Sequence, residues 1–329
     1  MNRGKKFVTA CCITTGIGII FCLTGYAMGA RVTGVSLGTG GVSVYTLQEE
    51  TKLKTERETL PEFKSVKIEI GSADVFLQQA QEYAIAYQLD DRNQLSYEVK
   101  DGTLVIRETT GKTSEILRIG YVTGALSEKV GKRYIMVQLP KECDMAQVSI
   151  DNAYGNVSFE GIAAEKVDLD LDSGDFLGTS ITADKISVES AYGDIALEEA
   201  RTGEIELKAA SGNISLTEVS ADRAEVRSEY GDVQGKAISA ENLFGELSCG
   251  DCSLEDLDAK NVSLKSEYGE VELKLQRTLA DYGYQLQTEY GEIRLDGRNM
   301  GNAYQSLEDK KNQVHIYCGD GDIEIRSAE

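Results

Sequence analysis

The stretch YGDIALEEARTGEIELKAASGNI, residues 192–214, decides the fold of this chain. It begins with Tyr-Gly-Asp-Ile at 192–195 and ends on a near copy, Ser-Gly-Asn-Ile at 211–214. A glycine followed by Asp, Asn or Glu and then by an apolar residue recurs along the chain with a constant spacing of 19 residues. This regularity indicates an internal structural repeat. The glycines are Gly155, Gly174, Gly193, Gly212, Gly231, Gly250 and Gly269, with two offset copies at Gly291 and Gly321.

The apolar residues of each repeat follow a strand pattern with corners. With the glycine as position 0, they fall at positions +2, +4, +7, +12 and +14. A spacing of two is typical of a strand with one buried face, and a spacing of three marks a corner. One 19-residue unit cannot bury its apolar side alone, so the units must stack. The sequence predicts an all-β, single-stranded β-solenoid, parallel β-helix-like, of about ten coils.

The repeated glycine predicts a turn of the backbone between two strand segments. Glycine adopts positive φ without a clash of a Cβ atom, and the Asx side chain that follows can bond the turning backbone. On backbone strain alone, we expect Gly193→Val to destabilise the fold by about 1–3 kcal/mol.

The first thirty residues predict a single membrane-spanning helix. Arg3, Lys5 and Lys6 precede an uncharged run of 24 residues, Phe7–Ala30. About 20 apolar residues cross a bilayer, and the basic cluster places the N-terminus in the cytoplasm and the C-terminal domain outside. The predicted location is therefore the cell membrane. A cleaved signal peptide is the alternative, because Ala27–Gly29 resembles a cleavage site.

Composition shifts divide the chain into four predicted segments. Residues 1–30 are the cytoplasmic stub and transmembrane anchor, and 31–60 are a Gly-rich, then charged, spacer. Residues 61–140 are predicted to be the N-terminal part of the solenoid, with a hairpin and a flap insertion. Residues 141–326 are the regular repeats with a C-terminal cap insertion, since the last coil would expose unpaired strand edges.

The charge and the residue types exclude several functions. The formal net charge is −21, and so acidic a chain is repelled by nucleic acid, which we exclude as a partner. The single histidine, His315, excludes a multi-His zinc site, and it is predicted to point outward on the final strand without a catalytic role. No nucleotide-binding or hydrolase motif is present. The sequence predicts no catalytic, cofactor-binding or metal-ligating residue and no cofactor.

Two columns of side chains are expected to run along the stacked coils. An acidic column follows the glycines, and its stacked carboxylates could hold Ca²⁺, although stabilisation of each turn is the favoured interpretation. A tyrosine column precedes the glycines in alternate repeats. Packing of large against small residues in the core is favoured for it over stacking on sugar rings. The acidic column comprises Asp175, Asp194, Asp232, Asp251, Glu270 and Glu292 with Asn156 and Asn213; the tyrosines are Tyr154, Tyr192, Tyr230 and Tyr268, separated by Ser173, Ser211 and Cys249.

The cysteines give no redox prediction. Cys249 and Cys252 have the C-x-x-C spacing, but they occupy ordinary repeat positions and no helix follows to lower a thiol pKa, so we interpret both as small core residues. Cys143 and Cys318 lie near opposite ends of the predicted stack and are not expected to pair.

The repeat resembles the putative-adhesin β-strand-repeat family, a bacterial domain family of unknown function whose members are often membrane-anchored. The resemblance rests on the repeated Ser/Tyr–Gly–Asp/Asn–Ile/Val motif, on FKSVKI at 63–68 with GSADV at 71–75, and on residues 135–140, and it covers about residues 61–326. It implies a β-solenoid and supplies no catalytic residues. The implied function is a non-enzymatic adhesion, scaffolding or stress-sensing module of the cell envelope, with an unknown protein, cell-wall or glycan partner.

A carbohydrate-active β-helix enzyme, a lyase or hydrolase of envelope polysaccharide, is the alternative function. Such an enzyme needs a cleft built by long loops with paired carboxylates or a basic residue. The uniform repeats leave no long loop in the middle of the stack. The flap at 108–133, with Lys129, Lys132 and Arg133, is the segment where a site could be built.

Overall fold

The structure, a computed structural model, describes most of the 329-residue chain. The described residues are 34–38, 41–45, 53–90, 93–110, 115–120, 133–141, 143–306 and 310–327. The predicted membrane span at 7–30 lies outside these ranges. Within them, no helix is both long enough and apolar enough to cross a membrane.

The chain divides into two units, and the first ten strands contribute to both. In the smaller unit, β1 pairs with β2 and β9 to form a three-stranded antiparallel sheet. Three of the ten strands lie within the predicted spacer. The ten are β1 (Gly34–Gly38), β2 (Gly41–Tyr45), β3 (Leu53–Thr59), β4 (Ser65–Ile70), β5 (Asp74–Ala80), β6 (Ala84–Asp90), β7 (Asn93–Lys100), β8 (Thr103–Thr110), β9 (Glu115–Gly120) and β10 (Tyr134–Pro140).

The larger unit consists of parallel coils, each one turn of the repeat. In the regular coils, paired residues are 19 positions apart in sequence, as in Ile186↔Ile205 and Ile205↔Ala224. The predicted all-β solenoid is confirmed at this level. The strands of the regular coils are β11 (Asp144–Tyr154), β12 (Val157–Glu160), β13 (Ala163–Ser173), β14 (Phe176–Thr179), β15 (Thr182–Tyr192), β16 (Ile195–Glu198), β17 (Arg201–Ser211), β18 (Ile214–Tyr230), β19 (Val233–Cys249), β20 (Cys252–Tyr268) and β21 (Val271–Leu275).

The last coils are stacked out of chain order. After a short 3-10 helix, Leu279–Asp281, come β22 (Tyr282–Tyr290), β23 (Ile293–Leu295), β24 (Arg298–Gly301), β25 (Ala303–Ser306), β26 (Asn312–Asp320) and β27 (Ile323–Ser327). β26 pairs in parallel with β20 on one side and with β22 on the other, and β27 lies likewise between β21 and β23. The C-terminal strands are therefore inserted between two coils that precede them in sequence. The antiparallel strands β24 and β25 pair with the outer coil.

The N-terminal coils show a related exchange. β4 and β5 form a coil on β11 and β12, and a further coil made of β8 and β10 pairs with their opposite side. The segment predicted as a flap, 108–133, runs from the end of β8 to the start of β10 in sequence. The coil of β8 and β10 has an ion pair between Arg133 and Glu108 at 2.6 Å, and Glu108 also accepts hydrogen bonds from the backbone N–H groups of Gly71 and Ser72.

The five predicted inward positions are buried. In the repeat of Gly193 they are Ile195, Leu197, Ala200, Ile205 and Leu207, each with none of its surface exposed. Burial of this apolar face in every coil produces a continuous core along the stack.

The corner glycines are required by close stacking as well as by backbone conformation. Gly193 has a φ of +147°, and a Cβ atom at this position would lie 2.1 Å from the carbonyl oxygen of Gly174 in the preceding coil. Gly212 shows the same approach to Gly193, again at 2.1 Å. The sequence predicted the positive φ, whereas the contact between successive corners is visible only in the stack.

A second corner uses residues other than glycine in a left-handed conformation. Position +6 has a φ between 51° and 55° in five successive coils, and in the coil before them it is a glycine, Gly161, at 68°. This conformation costs a residue with a side chain about 1–2 kcal/mol. The corner between positions +4 and +7 therefore stores strain that the apolar pattern did not reveal. The five residues are Ser180, Glu199, Glu218, Ala237 and Asp256.

Candidate functional site

A column of exposed tyrosines runs along the stack just before the corner glycines. These tyrosine residues have 60% to 74% of their surface exposed. In space the column alternates strictly between a tyrosine and a smaller residue from one coil to the next. Its order, given by the strand pairing, is Tyr154, Ser173, Tyr192, Ser211, Tyr230, Cys249, Tyr268, Asp320 and Tyr290.

The prediction that these tyrosines pack in the core is wrong. It rested on strand alternation, which would place position −1 on the same face as an inward residue. The buried residue is at position −3, for example Ser190, whereas Tyr192 is exposed. The pairing between coils includes positions −3 and −1 but omits position −2, so the alternation breaks where the chain approaches the corner. The side chain at −1 consequently faces solvent.

Each tyrosine-bearing coil has a buried polar side chain at position −3, and the sequence reasoning missed these residues. The Ser228 hydroxyl donates to the Gly231 carbonyl at 2.9 Å, and the Asn152 amide donates to the Gly155 carbonyl at 3.0 Å. Coils without a tyrosine have an apolar residue or Cys318 at this position. The true repeat is therefore two coils, or 38 residues in the regular part. The polar residues are Asn152, Ser190, Ser228, Ser266 and Thr288; the alternating ones are Leu171, Ala209, Leu247 and Cys318.

The acidic column forms a ladder of hydrogen bonds between coils. The Asp175 carboxylate accepts the backbone N–H of Asp194 at 3.0 Å, and the Asp194 carboxylate accepts that of Asn213 at 2.7 Å. Asp251 accepts from Glu270 in the same way at 2.8 Å. These contacts agree with the favoured interpretation that the column stabilises the turns. Among the described residues, no group of three or more His, Cys, Asp or Glu side chains is arranged to hold a metal ion.

Charge beside the tyrosine column differs between its two halves. Next to Tyr154 and Tyr192, position −4 carries carboxylates in three successive coils, namely Asp151, Asp170 and Glu189. Further along, basic residues form ion pairs with acidic neighbours, such as Lys208 with Glu206 at 2.6 Å and Lys265 with Glu267 at 3.4 Å. The first half of the column therefore has the stronger negative potential.

The pKa of Asp170 is raised above its usual value by partial desolvation and then by the carboxylates of Asp151 and Glu189. A carboxyl with a raised pKa in the folded state favours folding when protonated, and it loses that contribution as the pH rises through the raised pKa. We expect Asp170→Asn to raise the melting temperature at pH 7, with a gain that shrinks toward about pH 4. Thermal denaturation at both pH values measures this.

Asp258→Asn is the matched control, because Asp258 pairs with Arg277 at 2.7 Å and gains nothing from neutralisation. Its melting temperature at pH 7 should equal or fall below that of the wild type. An Asp170→Asn chain that melts no higher than the wild type at pH 7 would contradict the like-charge account.

The remaining predicted residues do not converge on a site. Cys252 is buried, and burial followed by the charge of Asp251 raises its pKa to about 12, whereas Cys249 is half-buried in the tyrosine column instead of in the core. Both are free thiols, as are Cys143 and Cys318. His315 is exposed, as predicted.

The flap residues are only partly accounted for. Arg133 donates to Glu108 and to the Ser72 hydroxyl, so its charge is engaged in holding the corner of the β8–β10 coil. Lys129 and Lys132 lie outside the described residues. The tyrosine column is therefore the best-defined candidate surface in the described part of the chain.

Comparison with known proteins gives one family model and several solved structures that match the chain. A family model described as Toastrack DUF4097 matches residues 63–326. A putative adhesin from Bacteroides fragilis NCTC 9343 has 18% identity and a TM-score of 0.46, covering 83% of this chain and 97% of that one. A putative lipid binding protein from Parabacteroides distasonis ATCC 8503 has 14% identity and a TM-score of 0.46, covering 84% and 97%. No curated protein matches the chain.

Proposed function

Because the chain belongs to the Toastrack DUF4097 family, we propose that it is a non-enzymatic, membrane-anchored interaction module of the cell envelope that binds its partner through the tyrosine column. Membership of this family confirms the predicted resemblance to a family of β-strand-repeat domains. The uncharged run at 7–30, which follows three basic residues, supports anchoring with the repeats outside the cell.

The observation that carries this proposal is the exposure of five tyrosines in one line. Soluble proteins seldom expose five large aromatic side chains in one line, and clustered exposed apolar surface marks interaction sites. The five apolar positions of the same coils are buried without the tyrosine rings, for example Ile195, Leu197 and Ile205 in the repeat of Gly193. Tyrosine combines a large apolar ring with a hydroxyl, which suits it to contact with a partner in water.

The charge of the chain limits the class of partner. A net charge of −21 disfavours nucleic acid and other polyanions. No hydrolase or lyase activity is proposed, because the uniform spacing of the repeats leaves no long loop beside the tyrosine column from which a catalytic site could be built. Cell-wall polymer and the surface glycans of other cells are compatible partners.

Co-sedimentation with purified cell-wall sacculi tests this function. Full-length protein in detergent is mixed with sacculi, and the bound fraction is measured for the wild type and for Tyr192→Ser/Tyr230→Ser. We expect the double variant to lose at least tenfold in binding, since both rings lie in the middle of the column. Leu177→Ser is the control, because Leu177 is an exposed large apolar residue away from the column.

Equal binding by the wild type and the double variant would contradict the assignment of the tyrosine column as the binding surface. Release of reducing or unsaturated sugar ends during the same incubation would contradict the non-enzymatic part of the proposal.

A further inference from the structure

The tyrosines of the column are spaced at a constant interval along the stack. Consecutive tyrosines are two coils apart, and neighbouring strands are about 4.8 Å apart, so the rings recur at about 10 Å. The intervening positions Ser173 and Ser211 leave the space between rings free of bulky side chains. Five rings at one constant interval match a partner that is itself a regular linear polymer.

The surroundings of the rings restrict the chemistry of that polymer. One oxygen of each Asp in the adjacent acidic column accepts a backbone N–H, which leaves its second oxygen available to accept further hydrogen bonds. A partner rich in hydroxyl donors would use these acceptors, whereas an anionic polymer would be repelled by them. A second copy of the chain, with the same charge of −21, is disfavoured for the same reason.

A polypeptide strand does not match the interval. Side chains on one face of a β-strand recur every two residues, at about 6.6 Å, which is out of step with rings at about 10 Å. An extended β-1,4-linked sugar chain advances by nearly the ring interval for every two pyranose units. Its flat sugar faces stack on aromatic rings, and its hydroxyl groups donate at the edges.

We propose that the tyrosine column binds a neutral, extended, β-linked polysaccharide that lies along the stack with two sugar units per tyrosine. This inference rests on the proposed function and adds the chemical class of the partner. From Tyr154 to Tyr290 the column spans eight coil intervals, or about 38 Å, which corresponds to about eight sugar units.

Chain length is the variable that tests the inference most sharply. Neutral cello- and chito-oligosaccharides of two, four, six and eight units are titrated into the full-length protein in detergent, with binding followed by calorimetry. Each added pair of units reaches one more ring, and linked contacts multiply affinity. We expect affinity to rise at least tenfold from two to eight units, and α-linked malto-oligosaccharides of equal length to bind at least tenfold more weakly than the eight-unit β-linked chain.

Two variants separate ring number from ring spacing. Tyr192→Ser/Tyr230→Ser should lose at least tenfold in affinity for the eight-unit chain. Ser211→Tyr keeps every native ring but places an extra one in an intervening coil. It should also lower the affinity for the eight-unit oligosaccharide while leaving the affinity for the two-unit oligosaccharide unchanged. Tyr192 and Tyr230 are exposed and Ser211 is half-buried in the same column. Thermal melting of each variant checks that the fold is retained.

The inference fails if no β-linked oligosaccharide binds, if affinity does not depend on length, or if Ser211→Tyr binds the eight-unit chain as well as the wild type. If the wild type binds no oligosaccharide but still binds sacculi through its tyrosines, the assignment of a neutral β-linked polysaccharide as the partner is wrong and the proposed function stands. Tyrosine-dependent self-association in sedimentation velocity would instead identify a second copy as the occupant and overturn the inference.

Discussion

Replacing Gly193 with valine is expected to lower the free energy of unfolding by about 3–5 kcal/mol, more than the backbone strain alone would cost. The Cβ atom would collide with the Gly174 carbonyl oxygen at 2.1 Å. That oxygen belongs to the backbone of the neighbouring coil, so it cannot move without disturbing the hydrogen-bonded ladder. Chemical denaturation of the full-length protein measures the change.

Gly102→Ala is the control for this substitution. Gly102 also has a positive φ, +73°, but nothing lies within 4 Å of its Cβ position. Gly102→Ala should therefore lower the free energy of unfolding only by the cost of the left-handed conformation, about 1–2 kcal/mol. If Gly193→Val and Gly102→Ala destabilise the protein equally, the corners do not stack as closely as the structure indicates.

Ending the chain after Ser306 is expected to unfold the C-terminal end of the stack. The deletion removes β26 and β27 with five buried side chains, Val314, Ile316, Cys318, Ile323 and Ile325. At about 1.5–3 kcal/mol for each buried side chain, the loss is on the order of 10 kcal/mol. It also unpairs β20 from β26 and β26 from β22. Because each coil contacts only its neighbours, the N-terminal coils should remain folded.

Limited proteolysis and circular dichroism detect this outcome. We expect new cleavage sites confined to residues after 252, together with a partial loss of strand signal. A chain ending at Ser327 is the control, because it keeps both inserted strands. A truncated chain with the same melting temperature and cleavage pattern as the control would contradict the out-of-order arrangement of the last coils.

The repeated core was predictable from sequence because burial repeats with the period of the chain. The spacing of 19 residues and the five apolar positions are set by local strand geometry, so the buried positions of one repeat predict those of every other repeat. The conformation at position +6 was not predictable in the same way. Ala237 and Glu199 adopt a left-handed φ there with no glycine to signal it.

The exposed tyrosines were misassigned because strand alternation holds only while the strand stays regular. The break at position −2 leaves no mark in the pattern of apolar residues. The sequence does contain a signal in the residues at positions −3 and −1 of each repeat. These two positions are Ser190 and Tyr192 in one repeat, Ala209 and Ser211 in the next, and Ser228 and Tyr230 in the one after that. A two-coil period in both positions marks them as one structural unit.

The sequence also contains a signal for the order of the last coils, which is the alternation of tyrosines with smaller residues. Tyr268 and Tyr290 are consecutive copies of the motif in sequence, and direct stacking would place two tyrosines in adjacent coils. Insertion of β26 puts Asp320 between them and restores the alternation. Tertiary pairing between distant segments, not local propensity, decides this order.

The continuous core and the tyrosine column both require consecutive repeats to lie in lateral register, and one distance measurement tests that register. Nitroxide labels are attached to Cys249 and to Ser173→Cys in full-length protein whose other cysteines are replaced by alanine. These positions are four coils apart in the tyrosine column, so double electron–electron resonance should give a narrow distance distribution centred at about 19 Å. A broad distribution, or a mean distance unrelated to four strand spacings, would contradict the stacked arrangement and the tyrosine column with it.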